Sequence, residues 1–196
     1  VDTLDIGSPF LPNGEARFGG VRATLSFDQT NRMYFPTAGW SSKIAYFDSP
    51  EAGYSRVDLD VSGVTSLHKT VFTGRFAYTG SPRGNLPGYD AATMGGLLNL
   101  SAFGKNQIIG DDITYAGIRA EQIIGVLPLG LRGDMRIGVA LEGAKAGLRY
   151  TETNASGWLN SLAVYIGGET PFGPIYLGGG YSTTGVSNIF LSIGVP

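Results

Sequence analysis

The sequence predicts an all-β chain: an antiparallel transmembrane β-barrel of about 8–10 strands that is half of a larger barrel. Two observations carry that prediction. Apolar residues recur at every second position, as at residues 54–63, where Val57, Leu59 and Val61 share one face and Arg56, Asp58 and Asp60 the other. The alternating segments lie near the ~9–11 residues that a tilted spanning strand requires, and turns rich in glycine separate them. The charged face is then expected to line a wet lumen and the apolar face to meet lipid.

The elements follow in order. Residues 1–20 contain Pro9, Pro12, Gly14, Gly19 and Gly20 and read as a connector, while residues 21–196 read as the C-terminal half of the barrel. Val21, Ala23, Leu25 and Phe27 alternate with Arg22, Thr24, Ser26 and Asp28; after a turn-rich stretch, Trp40, Ser42, Ile44 and Tyr46 complete a first hairpin. The strand at 54–63 comes after the loop around Pro50 and Gly53. Beyond Leu67, His68 and Lys69 a fourth strand sets Phe72, Phe76 and Tyr78 outward with Thr73 and Arg75 inward. Between Gly80 and Asp112 the rhythm weakens for about thirty residues, far beyond the ~2–5 of hairpin loops, with 97–103 as a short extended piece. Strands resume at 113–124, 135–142, 158–169, 175–182 and 187–195. Tight turns are expected at Leu127-Pro128-Leu129-Gly130, at Pro171-Phe172-Gly173-Pro174 and around Thr184-Gly185. Loops are thus shorter at one end and longer at the other, as in outer-membrane barrels.

Composition narrows the function classes. A formal net charge of -2 offers no basic field for nucleic acid or for an anionic lipid surface, so no nucleic-acid partner is expected. Without cysteine there is no disulfide framework, thiolate metal site or cysteine nucleophile. No apolar run reaches the ~18 residues of a spanning helix, and Val1-Asp2-Thr3 lacks the features of a signal peptide, so the start reads as a fragment boundary. A soluble sandwich or lipocalin-like barrel alternates in the same way. Aromatic residues near strand ends (Tyr46, Phe47, Tyr54, Tyr78, Trp158, Tyr181), sparse charge, and charges of both signs along one face favour the membrane barrel.

Residues 27–40 contain Asp28 in a turn followed by Phe35-Pro36-Thr37-Ala38-Gly39-Trp40. This resembles the periplasmic turn of the bacterial surface antigen superfamily, whose barrels assemble outer-membrane proteins or secrete partner proteins, and the order of elements from there resembles its C-terminal half. In the long loop, Met94-Gly95-Gly96-Leu97-Leu98-Asn99-Leu100-Ser101-Ala102-Phe103 is similar to the family's Leu-Gly-Gly followed by Val-Arg-Gly-Phe, with Ser101 in place of arginine and Ala102 in place of glycine. A Leu-Ser-Gly-aromatic version resembles the barrels attached to patatin-like phospholipases of type V secretion, and Leu141-Glu142-Gly143 resembles their Leu-Glu-Ala-Gly strand. In relatives the loop arginine pairs with an acid on the lumen wall; Ser101 removes that contact, so Glu142 is expected to find another partner, Arg119 or Arg136. Ile189, Leu191, Ile193 and Val195 resemble the closing strand read by the assembly machinery, although Pro196 stands where members end in an aromatic residue. The bland alternative is an apolar edge strand whose terminal proline discourages further pairing.

The resemblance implies a bacterial outer-membrane translocator or anchor for secretion or display of an N-terminal passenger. A small barrel acting as adhesin or structural anchor is the alternative. Expected partners are outer-membrane lipid, a missing N-terminal half-barrel or a second copy, and the outer-membrane assembly machinery. No cofactor or covalent chemistry is expected: a patatin-type hydrolase needs Gly-x-Ser-x-Gly, which this chain lacks. Gly80-Ser81-Pro82-Arg83-Gly84 would lose an oxyanion-hole N–H at Pro82, and His68 has no companion histidine. Leu177-Gly178-Gly179-Gly180 lies in a strand, not before a helix, and Asp111-Asp112 reads as a solvated pair at a loop end. The inward charges, with Arg119, Glu121, Arg136 and Glu142 foremost beside Arg22, Arg56, Asp58, Asp60 and Arg75, are expected to hold the loop inside a polar conduit.

Overall fold

The computed structural model describes residues 19–126, 133–147, 157–170 and 173–194. The expected turn at 127–130, most of the connector, Pro171, Phe172, Val195 and Pro196 lie outside the described residues.

Nine strands form one antiparallel sheet in chain order: β1 (Val21–Asp28), β2 (Gly39–Ser49), β3 (Tyr54–Leu67), β4 (Thr70–Gly80), β7 (Ile113–Val126), β8 (Asp134–Ala146), β9 (Trp158–Thr170), β10 (Gly173–Tyr181) and β11 (Ser187–Ile193). A two-stranded hairpin, β5 (Ala92–Met94) with β6 (Ile108–Gly110), is carried by the connection between β4 and β7. Among the described residues β1 and β11 each have one neighbour, so the sheet is open, as half of a barrel would be.

The side chains are sorted inside out. Along β8, Ile137, Val139 and Leu141 are 43%, 42% and 55% exposed, while Arg136, Ala140 and Glu142 between them are 0%, 2% and 6%. A water-soluble sheet buries its apolar face because that removes about 25 cal/mol per Å² from water. This sheet does the reverse on strand after strand: Leu162, Val164 and Ile166 of β9 face out while Ser161, Ala163 and Tyr165 face in. The interior, expected to be a wet charged lumen, also holds two apolar clusters, because the β4–β7 connection folds onto the concave face. One joins Leu86, Ala92, Met94, Leu100, Phe103 and Ile108 of the connection to Ile113, Tyr115, Ala144 and Leu159 of the wall. None of Val57, Leu59, Ile137 or Leu191 belongs to either cluster.

Two expectations are corrected. Residues 97–103 are not extended: the segment is two successive turns, closed by Asn99 N–H to Gly96 C=O (3.1 Å) and Phe103 N–H to Leu100 C=O (3.0 Å). Leu98 and Leu100 take left-handed φ values of 54° and 76°, which the tight reversal demands and which alternation cannot signal. Phe47 and Tyr54 also do not sit in an outer aromatic belt. Both rings point inward and meet at 5.8 Å, Tyr54 being a member of the interior cluster, because the β2–β3 register sets them on the face of Ala45 and Arg56.

Candidate functional site

The loop is seated on the wall mainly through its own backbone. The N–H groups of Leu100 and Ser101 donate to the two carboxylate oxygens of Glu142 at 3.2 and 2.7 Å. Tyr115 Oη lies 3.1 Å from the same carboxylate and 3.2 Å from Leu98 C=O, so its proton serves either acceptor. Ala102 N–H donates to Ser161 Oγ (2.9 Å), and Asn188 Nδ2 reaches the Ser101 and Phe103 carbonyls at 3.3 and 3.4 Å. Neither Arg119 nor Arg136 pairs with Glu142, contrary to the expectation from sequence. The left-handed turns at Leu98 and Leu100 aim consecutive N–H groups at one carboxylate, a concave anion-binding arrangement of main chain. Ser101 turns its hydroxyl back to accept from Leu98 N–H at 2.9 Å, closing the turn.

Two arginines clamp the rest of the loop. Arg56 pairs with Asp58 on its own strand (2.9 Å) and with Asp90 of the loop (2.7 Å), whose other carboxylate oxygen accepts from Tyr54 Oη at 2.8 Å. Arg75 pairs with Asp60 at 2.7 Å and donates to Leu98 C=O and Asn99 Oδ1 at 3.3 and 3.2 Å. Asp58 and Asp60 thereby orient the arginines, and the arginines reach the loop.

The last glycine of the β10 run, Gly180, is explained by contact with the loop. A Cβ on Gly180 would stand 2.5 Å from the Ser101 carbonyl carbon and 2.6 Å from the Ala102 nitrogen, so only glycine admits the loop backbone here. Gly180→Ala is expected to lift the 100–103 turn and cost about 1–3 kcal/mol, read by urea unfolding, with faster protease cutting of the loop.

The wall charges at the other end serve the turn between β1 and β2. Arg136 donates to Glu121 at 3.1 Å and to Phe35 C=O at 2.8 Å, with the Phe35 ring 5.0 Å from its guanidinium carbon. Glu121 accepts a second bond from Tyr165 Oη (2.8 Å). Phe35, at φ 46°, also packs on Tyr176 at 5.2 Å, so it inserts into the barrel interior. Pro36 lines the cavity beneath the loop, Asp28 caps the turn by accepting from Thr30 N–H at 2.9 Å, and Gly39 begins β2 at φ 116°. Gly95 and Gly96 begin the loop turn, their N–H groups donating to Asn99 and Phe103 carbonyls at 2.9 and 3.0 Å. Ile189, Leu191 and Ile193 lie outward on β11, 86%, 68% and 67% exposed.

At the loop's exit, burial and then the hydrogen bond and charge of Asp111 raise the Asp112 carboxyl above the ordinary range. A raised native value means the protonated form is favoured on folding, so this group's contribution to stability is fully present at low pH and is lost as pH rises through its folded-state value. Asp112→Asn is expected to flatten that decline between pH 3 and pH 7, measured by thermal unfolding.

The seat of the loop uses Tyr115, Ser161 and Asn188, which sequence reasoning did not single out, and Gly180, which it read as part of a glycine run in a strand. The signal the first three share in the sequence is an inward parity on β7, β9 and β11. No protein-family profile and no curated protein matches the chain. Among solved structures, the crystal structure of BamA from Haemophilus ducreyi lacking POTRA domains 1–3 has a similar fold, at TM-score 0.71 and 16% sequence identity over 88% of this chain. The chain spans 41% of that structure's length, and the sheet described above is therefore a BamA-like barrel fold in part.

Proposed function

We propose that this chain is the C-terminal half of a bacterial outer-membrane barrel that anchors an N-terminal passenger and translocates or displays it, the passenger being a patatin-like phospholipase. The reading is carried by one observation: an open nine-stranded sheet, apolar outside, whose ionic inner face holds a long loop in place. Lipid tolerates no unpaired strand edge, so β1 and β11 require partners from an N-terminal half or a second copy. The resemblance of the 28–39 turn and the 95–103 loop to the surface antigen superfamily, and the BamA-like fold, support the membrane assignment. The inward loop disfavours the adhesin alternative, which needs that loop outside.

The chain supplies no covalent chemistry in this reading. Ser81 and His68, the nearest approach to a nucleophile and base, flank opposite ends of β4, whose 11 residues separate them by about 35 Å. A passenger with an epitope tag, fused upstream of the chain in Gram-negative cells, tests the proposal. The expected result is an outer-membrane protein that resists carbonate extraction and whose tag is cut by protease added to intact cells. A tag that stays protected, or a chain released by carbonate, overturns it, and ester hydrolysis by the chain alone overturns the non-enzymatic part.

A further inference from the structure

Between the loop and the wall lies a cavity of about 590 Å³, within the size range of small-ligand sites. Arg119, Thr73, Arg75, Lys105, Glu142 and Asn188 contribute its polar lining. Arg119 stands on β7 directly opposite Thr73 of β4 in the sheet register. Both carry a buried polar atom, Arg119 Nε and Thr73 Oγ1, that has no hydrogen-bond partner among the described residues.

The carboxylate oxygens of Glu121 and Glu142 make their hydrogen bonds elsewhere. Glu121, two residues away on the same face, gives one oxygen to Arg136 and the other to Tyr165. Glu142 is occupied by the loop N–H groups and Tyr115. Arg75 is balanced by Asp60, so the cavity wall retains an Arg119 Nε without an acceptor, with the Thr73 hydroxyl on the facing strand. A buried guanidinium nitrogen without an acceptor is unfavourable, and planar, bidentate recognition of carboxylate is what a guanidinium does best. We propose that this cavity is a carboxylate-binding site in which Arg119 takes both oxygens and Thr73 donates its hydroxyl to one of them. The ligand is an acidic side chain or chain terminus of a polypeptide, or a small dicarboxylate; the site stands whether or not the chain translocates a passenger.

Isothermal titration calorimetry on the whole chain in maltoside micelles tests this, with glutarate, an acidic tetrapeptide and inorganic phosphate as probes. Saturable one-site binding of glutarate or of the peptide is expected, and which of the two binds identifies the source. Arg119→Met is expected to weaken it at least about ten-fold, and Thr73→Val about three-fold. Thr73→Val keeps the side-chain shape and the strand, so it reads the site even where Arg119→Met disturbs folding; a merely structural hydroxyl predicts unchanged binding there. No saturable binding of either carboxylate, phosphate binding alone, or affinities unmoved in Thr73→Val overturn the proposal.

Discussion

Replacing Arg136 by methionine is expected to destabilise the chain by about 3–5 kcal/mol, the largest single-residue effect in the sheet. The guanidinium is fully buried and the Glu121 carboxylate is 2% exposed, so the variant strips that carboxylate of its ion pair and leaves it the hydrogen bond from Tyr165 Oη. The same change frees Phe35 C=O and removes the cation beneath the Phe35 ring. Two consequences separate this from general loss of packing. The turn between β1 and β2 is expected to become accessible to protease, and Glu121→Gln on the Arg136→Met background is expected to restore part of the loss, because the charge stripped of its ion pair is then gone. Urea unfolding in phospholipid vesicles measures both; a cost under about 1 kcal/mol would place Arg136 among exposed, weakly coupled ions.

Glu142→Ala is expected to unseat the loop while leaving the sheet. It deprives the Leu100 and Ser101 N–H groups of their acceptor and Tyr115 Oη of one of its two, in a place where water replaces it poorly. At roughly 1.5–3 kcal/mol for each hydrogen bond to a charged group, the loop loses about 3 kcal/mol or more. Far-UV circular dichroism is expected to stay that of a β-sheet. Amide exchange at Leu100 and Ser101 is expected to accelerate by at least about a hundred-fold, as 3 kcal/mol requires. Unchanged exchange at these two amides would mean that the Arg56 and Arg75 clamps hold the loop without Glu142.

The strands were legible because period-two alternation is a local property, and the nine sheet strands appear where that rhythm runs, some extended by a few residues past the expected ends, as in β3 to Leu67. The loop's inner structure was not. Its seat depends on backbone N–H groups brought to Glu142 by left-handed turns at Leu98 and Leu100, and a side-chain inventory cannot show main-chain donors. For the same reason the inference that Glu142 pairs with Arg119 or Arg136 failed. Adjacent strands place several ions within reach of one another, and strand parity alone does not say that Arg136 turns toward Glu121 and Phe35 while Arg119 keeps an Nε without an acceptor. Phe47 and Tyr54 were misplaced because nearness to a strand end says nothing of the face, which the β2–β3 register decides. Gly180 was visible only as one of a run of glycines; its meaning lies in a contact with Ser101 and Ala102 about eighty residues earlier in the chain.

The orientation of the sheet can be read directly, since the chain has no cysteine to remove first. Single cysteines at positions 137 to 141 of β8, spin-labelled in phospholipid vesicles, report collisions with oxygen dissolved in hydrocarbon and with a water-soluble nickel chelate. Labels replacing Ile137, Val139 and Leu141 are expected to meet oxygen, and those replacing Gly138 and Ala140 to be shielded from it, with a period of two. Oxygen contact in the opposite phase, or equal chelate contact at all five positions, would contradict an apolar face in lipid and an ionic face enclosed.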